Sequence, residues 1–153
     1  MKQPFLMKKD KVFTKSLDFS FLLDAPAGKC GFIKIKDGHF HDGEKRIRFY
    51  GINIPFGNLF SPKKDAEIIA ERLSKAGVNF VRLHAADARK TGSVEKLLID
   101  YTKGNSRNFD PEQWDRIDYL FSCLKQRGIY LQLDLFCYHG FLPDDRLDYS
   151  TYA

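Results

Sequence analysis

An α/β fold with parallel strands is what this 153-residue sequence predicts, on three observations. Strand-like runs alternate with helical periodicity between residues 47 and 135, an order that gives a parallel sheet with right-handed crossovers. A unit of helix, glycine and strand occurs twice, and aligning Gly77 with Gly128 superposes the two copies residue for residue. The polar side chains of the predicted strands fall on one face, toward the C-terminal ends.

Composition sets the outer bounds. Hydrophobic residues make up 43%, charged residues 29%, and the 22 aromatics (14 Phe, 7 Tyr, 1 Trp) mark a chain that buries a core. No window approaches the roughly 18 consecutive apolar residues of a membrane helix. The N-terminal lysines are followed by no apolar stretch, so no secretory signal is expected, and localisation stays open. The formal charge is +5, but Lys2, Lys8, Lys9, Lys11 and Lys15 stand against Asp10 alone at the N-terminus, and the rest is close to neutral. A basic leader over 1–17 on a neutral body, with no aromatic-interleaved basic groove, argues against a nucleic-acid partner. Cys30, Cys123 and Cys137 are odd in number and widely spaced. They offer no disulfide framework, and the groupings Cys30/His39/His41 and Cys137/His139 match no four-ligand spacing, so no metal or cofactor is expected.

Residues 18–45 read as a small layer of strands, with candidates at Asp18–Leu23 and Gly31–Lys36. Asp37-Gly38 and Asp42-Gly43 are turn signals between short strands at 32–35, 39–41 and 47–54. Such a meander is too small for a domain and reads as a lid or plug. Ser61-Pro62 is expected to cap a helix with a stripe of Ala66, Ile69, Leu73 and Ala76, stopped by Gly77. Residues 78–84 form the next strand. Asp110-Pro111 opens a second helix, with Gln113 placed for a capping box and Trp114, Ile117, Leu120, Phe121 and Leu124 as its buried stripe. Gly128 stops it, and residues 129–135 form the third strand. The connection 85–108 is long for a βα loop, with a short helix expected at 94–101.

Alternation divides each strand into faces. Val81 and Leu83 oppose Phe80, Arg82 and His84; Leu131, Leu133 and Leu135 oppose Gln132, Asp134 and Phe136; Tyr50, Ile52 and Ile54 oppose Phe49, Gly51 and Asn53. The apolar rows are expected to pack under the helices. The opposite rows bring Asn53, Arg82, His84 and Asp134 toward one rim. Polar groups converging there fit the C-terminal mouth of a closed (β/α)8 TIM barrel, where such folds place their chemistry. Arg82 and Asp134 neutralising each other within a structural core is the other reading.

Three blocks then bear a family likeness. They are Asp24-Ala-Pro-Ala-Gly-Lys-Cys-Gly-Phe32, Lys36-Asp-Gly-His-Phe40 and Arg46-Ile-Arg-Phe-Tyr-Gly-Ile-Asn53, and together they resemble the opening of cellulase-like glycoside hydrolases of clan A. Ala76-Gly-Val-Asn-Phe-Val-Arg-Leu-His84 is similar to the second barrel strand of that family. Residues 109–119 and 125–130 resemble the helix leading into the third. The resemblance implies a retaining hydrolase with two glutamates about 5 Å apart, one acid/base and one nucleophile, cutting O-glycosidic bonds of a β-linked polysaccharide or oligosaccharide. In the family these close the fourth and seventh strands, so neither falls in this chain. Residues 46–153 then correspond to about three βα units, the N-terminal part of a (β/α)8 barrel, expected to be inactive alone and to self-associate through unpaired sheet edges.

By position, the resemblance makes Arg82 the arginine that hydrogen-bonds the nucleophilic carboxylate, and His84 a residue of the substrate cleft or a structural histidine. It makes Asn53 part of the floor. Phe136 departs from the pattern, since relatives often carry histidine there, and Tyr138 and His139 are the candidates to replace it. A non-catalytic carbohydrate-binding or partner-binding module is the alternative from another class.

Overall fold

The computed structural model describes residues 17–89 and 97–147, so most of the basic leader and the final six residues lie outside the described set. The described residues are mixed α/β, with two three-stranded sheets and two α-helices among them. Strands β1 (Lys34–Lys36), β2 (His39–Asp42) and β3 (Lys45–Arg46) pair antiparallel, Ile35 opposite Phe40 and Asp42 opposite Lys45. Asp37 and Gly38 both take positive φ, 50° and 72°, the backbone that a two-residue hairpin requires. Strands β4 (Gly51–Pro55), β5 (Phe80–His84) and β6 (Tyr130–Leu133) pair parallel in that order, with Asn53 in register with Arg82 and Arg82 with Gln132. Helices α1 (Lys63–Lys75) and α2 (Pro111–Gln126) make the connections.

The two helix–glycine–strand units end alike, down to the hydrogen bonds. Gly77 (φ 75°) donates to the Ser74 carbonyl and Val78 to that of Leu73; Gly128 (φ 78°) donates to Lys125 and Ile129 to Leu124. This is the same Schellman pair twice, and only glycine adopts its left-handed position without strain.

The helix starts differ from expectation. The Ser61 hydroxyl donates to the Asn58 carbonyl (2.9 Å) and does not cap α1; the Pro62 carbonyl receives the Asp65 and Ala66 N–H groups. Asp110 does cap α2, accepting from Glu112 and Gln113 N–H at 3.0 and 3.1 Å. The returning half of the capping box is not made. Asp110 N–H donates to the Leu98 carbonyl instead (2.9 Å), and Gln113 is buried. Trp114 is 46% exposed and lies against Phe109 at 5.0 Å, because the buried face of α2 runs through Gln113, Ile117, Leu120 and Leu124, one position round the helix. Phe121 is half-buried.

Three further expectations are corrected. Residues 18–23 contain a 3-10 turn, Ser20–Leu22, because Asp18 accepts from Ser20 N–H and Phe19 N–H donates to the Lys75 carbonyl. The strand expected at 47–54 begins at Gly51. Below it the Asn79 side chain takes over the pairing, accepting from Tyr50 N–H (2.7 Å) and donating to the Arg48 carbonyl (2.8 Å). The helix expected at 94–101 falls partly outside the described residues, and 97–100 are not helical: Ile99 bridges Phe109 and Asp100 N–H donates to Asn108.

The core lies between the parallel sheet and the helices. Val81 and Leu83 are fully buried there with Leu59, Ala66, Ala70, Leu120 and Leu124. The outer strands do less. Ile52 (37% exposed), Tyr50, Leu133 and Leu135 (71%) are uncovered, since among the described residues β4 and β6 each have a strand on one side only. The small antiparallel sheet sits at the N-terminal ends of β5 and β6, where Phe49 contacts Phe40, Phe80 and Tyr130 with ring centroids 5.0–5.7 Å apart. It therefore underlies the end opposite the polar rim.

Candidate functional site

On β5, Arg82 and His84 alternate with the buried Val81 and Leu83, so they stand on the face turned away from the helices. Asp134 directly follows β6, and its N–H donates to the Leu83 carbonyl (3.1 Å), which extends the pairing by one residue and brings its carboxylate beside them. Arg82 grips that carboxylate with both arms, Nη2 to Oδ2 at 2.5 Å and Nε to Oδ1 at 3.3 Å. His84 Nδ1 lies 2.7 Å from Oδ2 and Gln132 Nε2 donates to Oδ1 at 3.2 Å. An ionised carboxylate only accepts, so the His84 proton facing it is on Nδ1. The His84 hydrogen bond holds the Asp134 carboxyl below its ordinary value; Arg82 and Gln132 act in the same direction, against the opposing effect of burial.

The Asp134 side chain is 12% exposed and that of Arg82 41%. The pair is thus not sealed in a core, and the guanidinium reaches the surface. Cys137 Sγ stands 3.1 Å from His84 Nδ1 and 3.9 Å from Asp134 Oδ2. Phe56 and Tyr138 present ring edges to His84, at 6.2 and 5.8 Å between centroids.

A buried carboxylate holds the loops above this cluster. Asp87, 6% exposed, accepts from Cys137 N–H at 2.9 Å and Tyr138 N–H at 3.4 Å. The Tyr101 hydroxyl donates to the Asp87 carbonyl (2.9 Å) and accepts from Gly140 N–H (3.0 Å). Burial raises the Tyr101 phenol above its ordinary value. The loop after β5 and the loop after β6 are therefore one hydrogen-bonded unit, joined also by an antiparallel bridge from Ala88 to His139.

Of the residues singled out by sequence, Arg82, His84 and Asp134 meet, and Tyr138 borders them. Asn53 is level with Arg82 but exposed, with no hydrogen bond to the cluster among the described residues. His139 stands apart, Nδ1 3.8 Å from Asp87 Oδ2, among Tyr101, Phe136 and Phe141. Phe136 is 74% exposed. Sequence reasoning missed Cys137, Asp87, Gln132 and Phe56 as members. Proximity along the chain pairs Cys137 with His139, whereas the fold pairs it with His84, 53 residues away. The signal available for Asp87 was a lone carboxylate within Ala85-Ala86-Asp87-Ala88.

Chemically, the rim offers a fixed carboxylate, a half-exposed guanidinium and aromatic edges, a set suited to a polyhydroxylated or anionic ligand. Neither a family model, nor a curated protein, nor a solved structure was found to match the chain.

Proposed function

We propose that this chain supplies the first three βα units of a (β/α)8 retaining glycoside hydrolase that cuts O-glycosidic bonds of a β-linked polysaccharide or oligosaccharide. One observation carries the reading: Arg82, His84 and Asp134 converge at the C-terminal ends of parallel strands, on the face away from the helices. That is the place where barrel enzymes hold their reacting groups. Two further features support it. Among the described residues the parallel sheet leaves β4 and β6 unpaired on their outer sides, with Leu133, Leu135 and Ile52 uncovered, as a barrel segment would before its remaining strands close it. A groove of about 400 Å³ beside β6, lined by Phe32, Ile33, Ile129 and Leu131, would receive the next unit.

In this reading Arg82 is a positioning residue. Its fixed charge keeps a neighbouring nucleophilic carboxylate ionised and aimed, and Asp134 in turn fixes the guanidinium. His84 and Tyr138 border the sugar site. Both glutamates would come from later strands, so the chain alone has no turnover.

The reading frame that encodes the whole protein tests this directly. An Asn-Glu pair ending a fourth strand and a later strand-ending glutamate are expected. In that intact enzyme Arg82→Ala lowers kcat by orders of magnitude while circular dichroism stays unchanged. Wild-type turnover in the variant would remove Arg82 from the site, and a frame without the glutamates would sink the hydrolase in favour of a binding module.

A further inference from the structure

We infer that His84, Asp134 and Cys137 form a binding site for a zinc-class divalent cation. Each offers one ligand atom, and these atoms lie within 4.8 Å of one another. Imidazole nitrogen, carboxylate oxygen and thiolate sulfur together are a donor set that suits zinc and not magnesium or calcium. The spacing fits as well. Around a tetrahedral Zn2+, with bonds of about 2.0–2.3 Å, neighbouring ligand atoms stand about 3.3–3.6 Å apart. Here the separations are 2.7 Å (His84 Nδ1 to Asp134 Oδ2), 3.1 Å (Nδ1 to Cys137 Sγ) and 3.9 Å (Sγ to Oδ2). Cys137 Sγ also lies 3.5 Å from His84 Nε2, over the ring and off the Nδ1 lone pair, so ligation requires the imidazole or the thiol to turn to another rotamer.

The surroundings are those of a supported site. Metal-binding carboxylates are usually oriented by outer hydrogen bonds, and Asp134 Oδ1 is held by Gln132 and Arg82 Nε, while Arg82 Nη2, 2.5 Å from Oδ2, has to yield that oxygen to the ion. The backbone of Cys137 is anchored on the buried Asp87. Phe56 and Tyr138 flank the imidazole. On binding, the Cys137 thiol gives its proton to solvent and the imidazole proton moves from Nδ1 to Nε2, so that thiolate and carboxylate balance the two charges of the ion. Three protein ligands leave a fourth position; among the described residues no other His, Cys, Asp or Glu joins the group, so water fills it.

Composition and spacing gave no hint of this, because the three ligands are brought together only by the pairing of β5 with β6. The inference is independent of the hydrolase reading, and its readouts involve no sugar.

The full chain, stripped by a chelator, is titrated with Zn2+ while its cysteines are alkylated and mapped by mass spectrometry. One equivalent of Zn2+ is expected to protect Cys137 and leave the exposed Cys30 as reactive as before. Co2+ in place of Zn2+ is expected to give a thiolate-to-cobalt charge-transfer band that Cys137→Ser abolishes and Cys30→Ser does not. His84→Ala should weaken Zn2+ binding by more than the roughly 10–100-fold that loss of an outer partner costs, and Gln132→Leu by an amount within that range. Circular dichroism of each variant separates lost ligation from lost folding, and the protection assay on wild type needs no variant. Equal protection of Cys30 and Cys137, or no protection and no cobalt band, would overturn the site.

Discussion

Three donors, from His84, Arg82 and Gln132, converge on the Asp134 carboxylate at the rim. Its pKa is held below the ordinary 3.8, first by the His84 hydrogen bond. A carboxyl whose folded pKa is depressed is protonated more readily in the unfolded chain, so stability rises with pH across this range. Its contribution is complete above about pH 4 and is lost as pH falls through the folded value. Asp134→Asn should therefore be less stable than wild type at about pH 6, with the gap closing at lower pH. Urea denaturation at several pH values checks this, and a gap that does not narrow in acid would show that the carboxylate charge contributes nothing. A second carboxylate poses the opposite problem. Asp42 is 6% exposed; Tyr130 donates to its Oδ2 at 2.7 Å, while Oδ1 has no protein partner among the described residues. Burial first, and then the bond to Asp42, push the Tyr130 phenol up to about 12. Tyr130→Phe strips the carboxylate of that donor, and leaving a buried polar group unsatisfied costs about 1–3 kcal/mol. Replacing both residues, Asp42→Leu with Tyr130→Phe, leaves no orphan and should recover most of the loss. Thermal unfolding decides: a double variant as unstable as the summed singles would mean that the two groups do not act on each other.

Among the elements, the two helices separate what a local rule can predict from what it cannot. Asp110 receives two backbone N–H groups and Ser61 receives none. Asp110→Ala should thus cost about 1 kcal/mol, the usual worth of an N-cap, and Ser61→Ala less than about 0.5 kcal/mol. Chemical denaturation of the two variants measures both, and equal losses would show that Ser61 caps after all. The helix–glycine–strand grammar was legible because its determinants are local: apolar period, cap, left-handed glycine. Two of the failures had partners distant in sequence, whereas Ser61 turned to Asn58, only three residues away. Leu98 takes the N–H that Gln113 was expected to satisfy, and Lys75 takes that of Phe19, which turns a strand pattern into a 3-10 turn. The burial of α2 follows the same division. Leu120 is fully buried and Trp114 is 46% exposed. Leu120→Ala is expected to cost about 2–5 kcal/mol, and Trp114→Ala well below the range for a buried aromatic.

For the molecule as a whole, alternation along the strands told which side chains share a face but not what covers them. Arg82, His84 and Asp134 were legible as one rim because period two and parallel order suffice to align them. Cys137 and Asp87 were not, because they lie on loops whose path no period describes. The apolar rows show the same limit. Val81 and Leu83 on the central strand are sealed, whereas Leu133 (40% exposed), Leu135 and Ile52 on the flanking segments are uncovered. Two parallel-sheet edges and an apolar row together make a surface that unpaired strands satisfy by finding others. The 153-residue chain alone should therefore associate in a concentration-dependent way, as followed by sedimentation velocity. Charges blunt such edges, so Leu133→Glu with Leu135→Lys should shift the population toward monomer without loss of helical signal. Neither residue belongs to the fully buried core between sheet and helices, so the substitutions leave that core intact. A wild-type chain that stays monomeric at every concentration would mean that these edges are covered by the chain itself.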